Sequence, residues 1–569
     1  KLVVENVGGA SLTAQGRLGE AGHELSARID AQRLGDLANL LLRIAPGTAS
    51  DAFAQRAVAL APLRMDVVLR GRDLQRPDDL RIEGTARGTR LNLTLKPEGA
   101  DTQISGMAEN PDAGLLLRQL GFETLPISNT GTARLQLRAS GQAQNGFAGT
   151  LSLSAARVDL LLEGRASGAM AHPDVRGTLR LRSNDAGNFL RLVGFGLPDF
   201  TASLPFEAGA DVAVSQDIVT LDNLSGLVAG SFVSGALRGE EIDGFRRWSG
   251  QAKTDRLGLP LLVMLSLGPQ PVAARGTVWP DQKFAAGLVE TPRLALDFSA
   301  NEFDLADNLS AREARFRLRL EPGLVALEQA RMKLGEGTLA GDLALRRTAE
   351  GAALLVKTEF ANLALPQGPV AGRISGRAEL TSIGLSHAAL AAGLAGEGRA
   401  QIEGLTIANA DPASVGRLIA SVDRGQVNVD ERDLRAALLR EFERGSFAAG
   451  KRDFVMGGAG GVLRFESREA PLLSLGFDAR QWSGDVRVMF AGTQAPRDWQ
   501  GEPPAATLVW QGKFGAMQRA VDAAPLFNAI SARAIQRETE RVQALDEDIR
   551  ERAAIQRRVK AFEFMRRRE

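Results

Sequence analysis

Four near-copies of one short segment divide the first half of the chain. Asp-Leu-Ala-Asn-Leu-Leu-Leu-Arg at 36–43, Asp-Ala-Gly-Leu-Leu-Leu-Arg at 112–118 and Asp-Ala-Gly-Asn-Phe-Leu-Arg at 185–191 come first, and a looser copy, Asp-Arg-Leu-Gly-Leu-Pro-Leu-Leu, stands at 255–262. The leading residues Asp36, Asp112, Asp185 and Asp255 are 76, 73 and 70 positions apart. A period of this size is the mark of stacked supersecondary units, each packing on its neighbours. Each Asp is expected to cap a short helix whose leucines form a packing face.

Between these turns the pattern is strict alternation. Leu91, Leu93 and Leu95 are separated by Asn92 and Thr94; Ala133, Leu135, Leu137 and Ala139 are separated by Arg134, Gln136 and Arg138. Phe316, Leu318 and Leu320 alternate with Arg315, Arg317 and Arg319 in the same way. Period two with one apolar and one charged face is the signature of an antiparallel sheet. The 62 glycines fit a turn-dense meander. The predicted fold is therefore mainly β: an extended antiparallel sheet built from repeats of about 73 residues, with short interspersed helices.

Five regions follow. Residues 1–290 carry the repeated β modules and 291–410 continue the sheet. Residues 411–450 read as a helical insert, in which Asp430 caps a helix with Leu434, Leu438, Leu439 and Phe442 on one face. The last strands fall in 451–515, and 516–569 ends in a charged amphipathic helix. That helix, from Leu526 to about Arg568, holds no Pro or Gly and shows a heptad-like stripe of Ile535, Val542, Leu545, Ile549, Ile555, Val559 and Phe562 that slips near Arg552.

The composition excludes several functions. A net charge of +1 gives no general attraction to nucleic acid. With no Cys there is no disulfide framework and no thiolate site. The longest apolar run, Leu259 to Leu267, is too short to span a bilayer. The chain opens inside what reads as a strand, so a preceding segment, a membrane anchor included, is expected. His23, His172 and His387 stand far apart and are expected on the surface or in turns. Glu240-Glu241 and Asp546-Glu547-Asp548 read as solvated acids in turns or on a helix, and Gly457 to Gly461 as a turn between strands. A hydrolase would need a nucleophile or acid pair that these patterns do not supply. Trp482, Trp499 and Trp510, each with Gly two residues on, read as aromatics closing the last sheet, with a membrane-interface belt as the alternative.

The repeat, the segment Leu385 to Leu405 with its small residues and Gly-punctuated strand, and Trp510-Gln-Gly before the final helix together resemble the AsmA-like family of Gram-negative envelope proteins. The resemblance implies a non-enzymatic protein with no cofactor. It implies a periplasmic location, an inner-membrane anchor outside this chain, and a curled sheet forming a repeating β-groove that carries phospholipid or other acyl chains between inner and outer membrane. The groove residues it would use are Leu91, Leu93, Leu95, Leu135, Leu137, Phe316, Leu318 and Leu320. Read from the residues alone, the same leucines would equally fill a sealed core. The alternative function is a periplasmic scaffold or chaperone-like factor for outer-membrane protein assembly, with an envelope protein partner held by the C-terminal helix. A nucleic-acid partner is not expected.

Overall fold

The computed structural model describes residues 2–567 apart from short stretches, the longest being 45–53, 72–77, 169–173, 196–204, 269–277 and 491–498. Among the described residues, 28 strands form one sheet in which every strand pairs with the next in sequence. The first three are β1 (Leu2–Val7), β2 (Ala10–Gly19) and β3 (Gly22–Ala31), followed by helix α1 (Gly35–Ile44).

The sequence repeat is four strands and a helix. The first full unit is β4 (Leu63–Gly71), β5 (Asp79–Ala86), β6 (Thr89–Glu98), β7 (Asp101–Asn110) and α2 (Ala113–Gln119). The second is β8 (Ala133–Gln142), β9 (Gly146–Ala155), β10 (Val158–Ser167), β11 (Asp174–Ser183) and α3 (Gly187–Leu192). The third is β12 (Phe206–Ser215), β13 (Ile218–Val228), β14 (Ser231–Ile242), β15 (Phe245–Gly258) and α4 (Leu259–Leu267). An even number of antiparallel strands returns the chain to the same end of the sheet, so α1 to α4 all begin there. Tight turns fix the register. At Arg87-Gly88, between β5 and β6, both residues are left-handed (φ 44° and 85°), as a two-residue hairpin requires.

The capping expected of the four aspartates holds in part. Asp112 caps α2: its Oδ1 accepts from Leu115 N (3.3 Å) and from the Thr130 hydroxyl (2.8 Å). Asp185 accepts from Gly187 N (3.1 Å) one residue outside the α3 cap. Asp36 lies inside the first turn of α1. Asp255 is not a cap. It lies within β15 and accepts from Phe232 N and Asn301 Nδ2, while α4 starts four residues later behind Gly258 with Pro in its first turn.

The helices cover one end of the apolar face. Leu116, Leu117 and Leu192 pack on Ala108, Ala133, Leu153 and Ala155, each buried leucine contributing roughly 1.5–3 kcal/mol. A polar clasp joins α2 to the preceding hairpin. The Thr89 hydroxyl donates to Gln119 Oε1 (2.6 Å) and accepts from Asn110 Nδ2 (2.6 Å), and Gln119 Nε2 donates to Ala59 O and Ala86 O.

The meander continues through β16 (Arg293–Ala306), β17 (Leu309–Glu321), β18 (Leu324–Leu334), β19 (Gly337–Thr348), β20 (Gly351–Ala364), β21 (Val370–Gly384), α5 (His387–Ala392) and β22 (Ala395–Ile407). The helical insert is α6 (Ser414–Asp423) and α7 (Glu431–Phe442). Then come β23 (Phe447–Ala459), β24 (Val462–Ser467), β25 (Leu472–Asp478), β26 (Ser483–Phe490), β27 (Ala506–Lys513), β28 (Gln518–Asp522) and α8 (Ala524–Arg566).

Two features depart from a curled antiparallel sheet. Strands β15 and β16 are parallel, because α4 and the segment after it carry the chain back across the sheet before β16 begins. The sheet is also open and uncurled, and β1 and β28 do not pair. Curl and closure need register stagger and bulges. From β2 to β12 the ladders run without a register shift, so this cause applies to that half; eight ladders between β12 and β23 carry one.

Candidate apolar face and its charged reverse

Following one partner position from strand to strand shows how the alternation adds up. The line runs Gly16, Leu25, Leu69, Leu80, Leu95, Ile104, Ala139, Gly149, Gly164, Gly177, Val212, Leu221, Leu237 and Gly250 from β2 to β15. It continues through Leu296, Leu318, Leu327, Leu343, Val356, Leu380, Gly396, Gly458, Leu463, Phe477, Gly484 and Gly512 from β16 to β27. No polar or charged side chain interrupts it. At about 4.8 Å between strands the line is roughly 120 Å long.

Two more lines run beside it between β2 and β12. One passes through Val67, Ile82, Leu93, Gly106, Leu137 and Leu151, the other through Met65, Gly84, Leu91, Ala108, Leu135 and Leu153. Five of the eight expected groove residues therefore lie side by side on one surface: Leu91, Leu93, Leu95, Leu135 and Leu137. All five are only half-buried. Their neighbours under the helices, Ala108 and Leu153, are fully buried. The contrast means that, among the described residues, the repeat helices seal one end of each strand and place no second layer over the middle of the face.

The other three expected residues share this face but not its openness. Phe316, Leu318 and Leu320 are buried in a cluster with Leu262 and Leu265 of α4 and with Val289. Phe316 stacks on Phe298 with ring centroids 5.6 Å apart. Here α4 supplies the missing layer, so these residues form core. The sequence pattern alone did not reveal the glycines of the line. The run Leu160-x-Leu162-x-Gly164-x-Ala166 carries the signal: a glycine that keeps the phase of an apolar strand.

The opposite face is laced by cross-strand ion pairs. Arg28 pairs with Asp66 (2.7 Å), Arg64 with Asp30 (2.9 Å), Arg182 with Glu207 (2.9 Å) and Arg317 with Asp297 (2.9 Å), each between directly opposed residues. Glu109 sits between Arg134 (3.1 Å) and Arg90 (3.3 Å), and the hydrogen bond from Arg134, with the Arg90 charge adding to it, holds its carboxyl below the usual range. Exposed pairs of this kind add little stability each. They oppose register slips, because a one-residue shift would turn charges onto the apolar face. Clefts of about 1040 Å³ and 900 Å³ open on this face, walled by Arg134, Arg182 and Glu207 and by Arg399, Asp453 and Glu469 respectively. Apolar side chains line them as well: Leu161, Leu227 and Phe232 the first, and Val455 the second.

Other expected sites are dispersed. His387 is not on the surface. It is buried at the start of α5 against the Phe284 ring (4.9 Å), neither ring nitrogen has a hydrogen-bond partner among the described residues, and burial pushes its pKa down. His172 lies outside the described residues. His23 lies on β3, far from α5 in strand order. Glu240 and Glu241 lie in β14 rather than in a turn, beside Arg238 and Arg246. Trp510 closes the core under α7 and α8, Trp482 is exposed against Trp279 and Phe477, and Trp499 faces the Arg533 guanidinium. Trp499 packs on the same core as Trp510, while Trp482 lies apart from it.

Among the described residues no group of three or more His, Asp or Glu has the geometry to hold a metal ion, and no helix is long and apolar enough to cross a membrane. Comparison with family models, with curated proteins and with solved structures finds no match.

Proposed function

We propose that this chain is a non-enzymatic lipid-binding protein whose ligand is the acyl part of a phospholipid, laid along the half-open leucine face. The observation that carries this reading is the half-buried leucine face of β4 to β9, where three apolar lines run side by side; farther along, α4 covers the line at Leu318 and Leu327. Soluble proteins rarely leave contiguous apolar surface larger than a few hundred Å² exposed, and larger patches mark binding surfaces. Acyl chains suit this one. They have no polar groups to satisfy, and the line offers only aliphatic side chains, one Phe and glycine. The charged reverse face would keep the loaded sheet in water.

The resemblance to AsmA-like proteins extends the proposal to a setting: the periplasm of a Gram-negative cell, with lipid passing between inner and outer membrane in support of outer-membrane assembly.

The test is the lipid content of the purified chain. Organic extraction followed by mass spectrometry is expected to recover phospholipid in at least equimolar amount. The variant Leu93→Glu should fold and lose most of it, because a carboxylate on the face breaks the line where it is three residues wide. Thr94→Glu, on the reverse face, should keep it. Lipid-free wild-type protein, or equal loading in the two variants, would overturn the proposal.

A further inference from the structure

Among the described residues, the packing that holds helix α8 is at its start. Leu526 and Ile530 are buried against the terminal core, and Arg533 and Arg537 both reach Asp423 of α6 (3.3 and 2.6 Å). From Glu538 onward every described residue except Ala553 and Ala554 is exposed. The apolar stripe is exposed with the rest, Ile549 at 60% and Phe562 at 73%. An amphipathic helix gains most of its stability from packing that stripe.

The spacing of the stripe is a palindrome. Val542, Leu545 and Ile549 follow one another at three and four residues, and Ile555, Val559 and Phe562 at four and three. Arg552 lies at the centre, where the heptad frame slips. The charges are asymmetric about the same point. Segment 538–548 holds Glu538, Glu540, Asp546, Glu547 and Asp548 with one base, Arg541, while segment 557–567 holds Arg557, Arg558, Lys560, Arg566 and Arg567 with one acid, Glu563.

We infer that α8 pairs with α8 of a second copy of this chain, antiparallel, about a two-fold axis at Arg552. This arrangement sets Val542 against Phe562 of the second copy, Leu545 against Val559 and Ile549 against Ile555. Each layer joins one heptad core position to the other, as antiparallel pairs require, and the frame slips of both helices fall at the axis. It lays each acidic segment along a basic one for about 16 Å at either end of the paired helices. A parallel in-register pair would bury the same stripe but set acid against acid and base against base. The axis brings two copies of Arg552 together, and each already has Asp548 of its own chain at 2.9 Å. A self-complementary surface of this kind closes as a dimer.

The chain has no cysteine, so single thiols report the geometry without background. Full-length Val542→Cys and Phe562→Cys variants are mixed and treated with a short thiol cross-linker. The expected result is a cross-linked dimer joining position 542 to position 562, with neither variant cross-linking efficiently when alone. Sedimentation of the wild-type chain should give twice the mass of one chain, and Ile549→Asp should return it to one. Homodimers of Val542→Cys alone would show a parallel pair and overturn the inference. A wild-type chain that sediments as a monomer at micromolar concentration would overturn it too, and would leave the stripe to a different protein.

Discussion

Gly164 on β10 stands directly opposite Gly177 on β11, and the partner backbone already occupies the space a side chain would need at either position. A Cβ on Gly164 would lie 2.3 Å from Arg176 O, and one on Gly177 would lie 2.3 Å from Glu163 O. Glycine in this stretch of the apolar line is there because another backbone comes close. Gly164→Val is therefore expected to destabilise the protein by about 1–3 kcal/mol, the usual cost of overpacking. Gly457→Ala, which meets nothing within 4 Å, should shift stability by less than about 0.5 kcal/mol. Urea unfolding midpoints of the two variants check this; equal shifts would contradict it.

The Thr89 clasp is fully satisfied, and one change undoes it. Thr89→Val removes the hydroxyl that serves both Asn110 Nδ2 and Gln119 Oε1, leaving buried polar atoms unpaired. The expected cost is about 1–3 kcal/mol. Hydrogen exchange should show the loss concentrated in α2 and the β5–β6 hairpin. A uniform loss across the sheet would mean that the clasp does not tie these elements together.

His387 gives acid sensitivity with a definite sign. Burial holds its folded pKa below the unfolded value, so the unfolded chain takes up the proton first. Its contribution to stability is complete above about pH 6.5 and is lost as pH falls below that. His387→Leu should flatten this part of the profile. Unfolding midpoints measured at about pH 7.5 and about pH 5 compare the two chains. The same pH slope in both would place the sensitivity elsewhere.

Local physics made much of the fold readable in the sequence. Alternation such as Arg134-Leu135-Gln136-Leu137 needs only the two-residue period of a strand, and the Asp112 cap needs only its own helix. What stayed hidden depends on which strand lies beside which. The register that lines up Leu95, Ile104 and Ala139 is set by turns and cross-strand ion pairs. The parallel step at β15–β16 depends on a crossover segment with no periodic signal of its own. Leu93 and Leu318 have the same sequence pattern, yet one is half-open and the other is core, because α4 packs over only one of them. His387 read as a surface or turn residue because a lone histidine carries no pattern, and its packing against Phe284 appears only in the fold.

The central claim is that acyl chains lie on the leucine face and nowhere else on the sheet. A photo-reactive amino acid placed in turn at Leu93, Leu137, Thr94 and Gln136 tests it, with mass spectrometry of the adducts after irradiation in cells. These are two adjacent pairs on β6 and β8, one member on each face. The account predicts phospholipid adducts at Leu93 and Leu137 and none above background at Thr94 and Gln136. Equal adducts on both faces, or none on the leucine face, would contradict it.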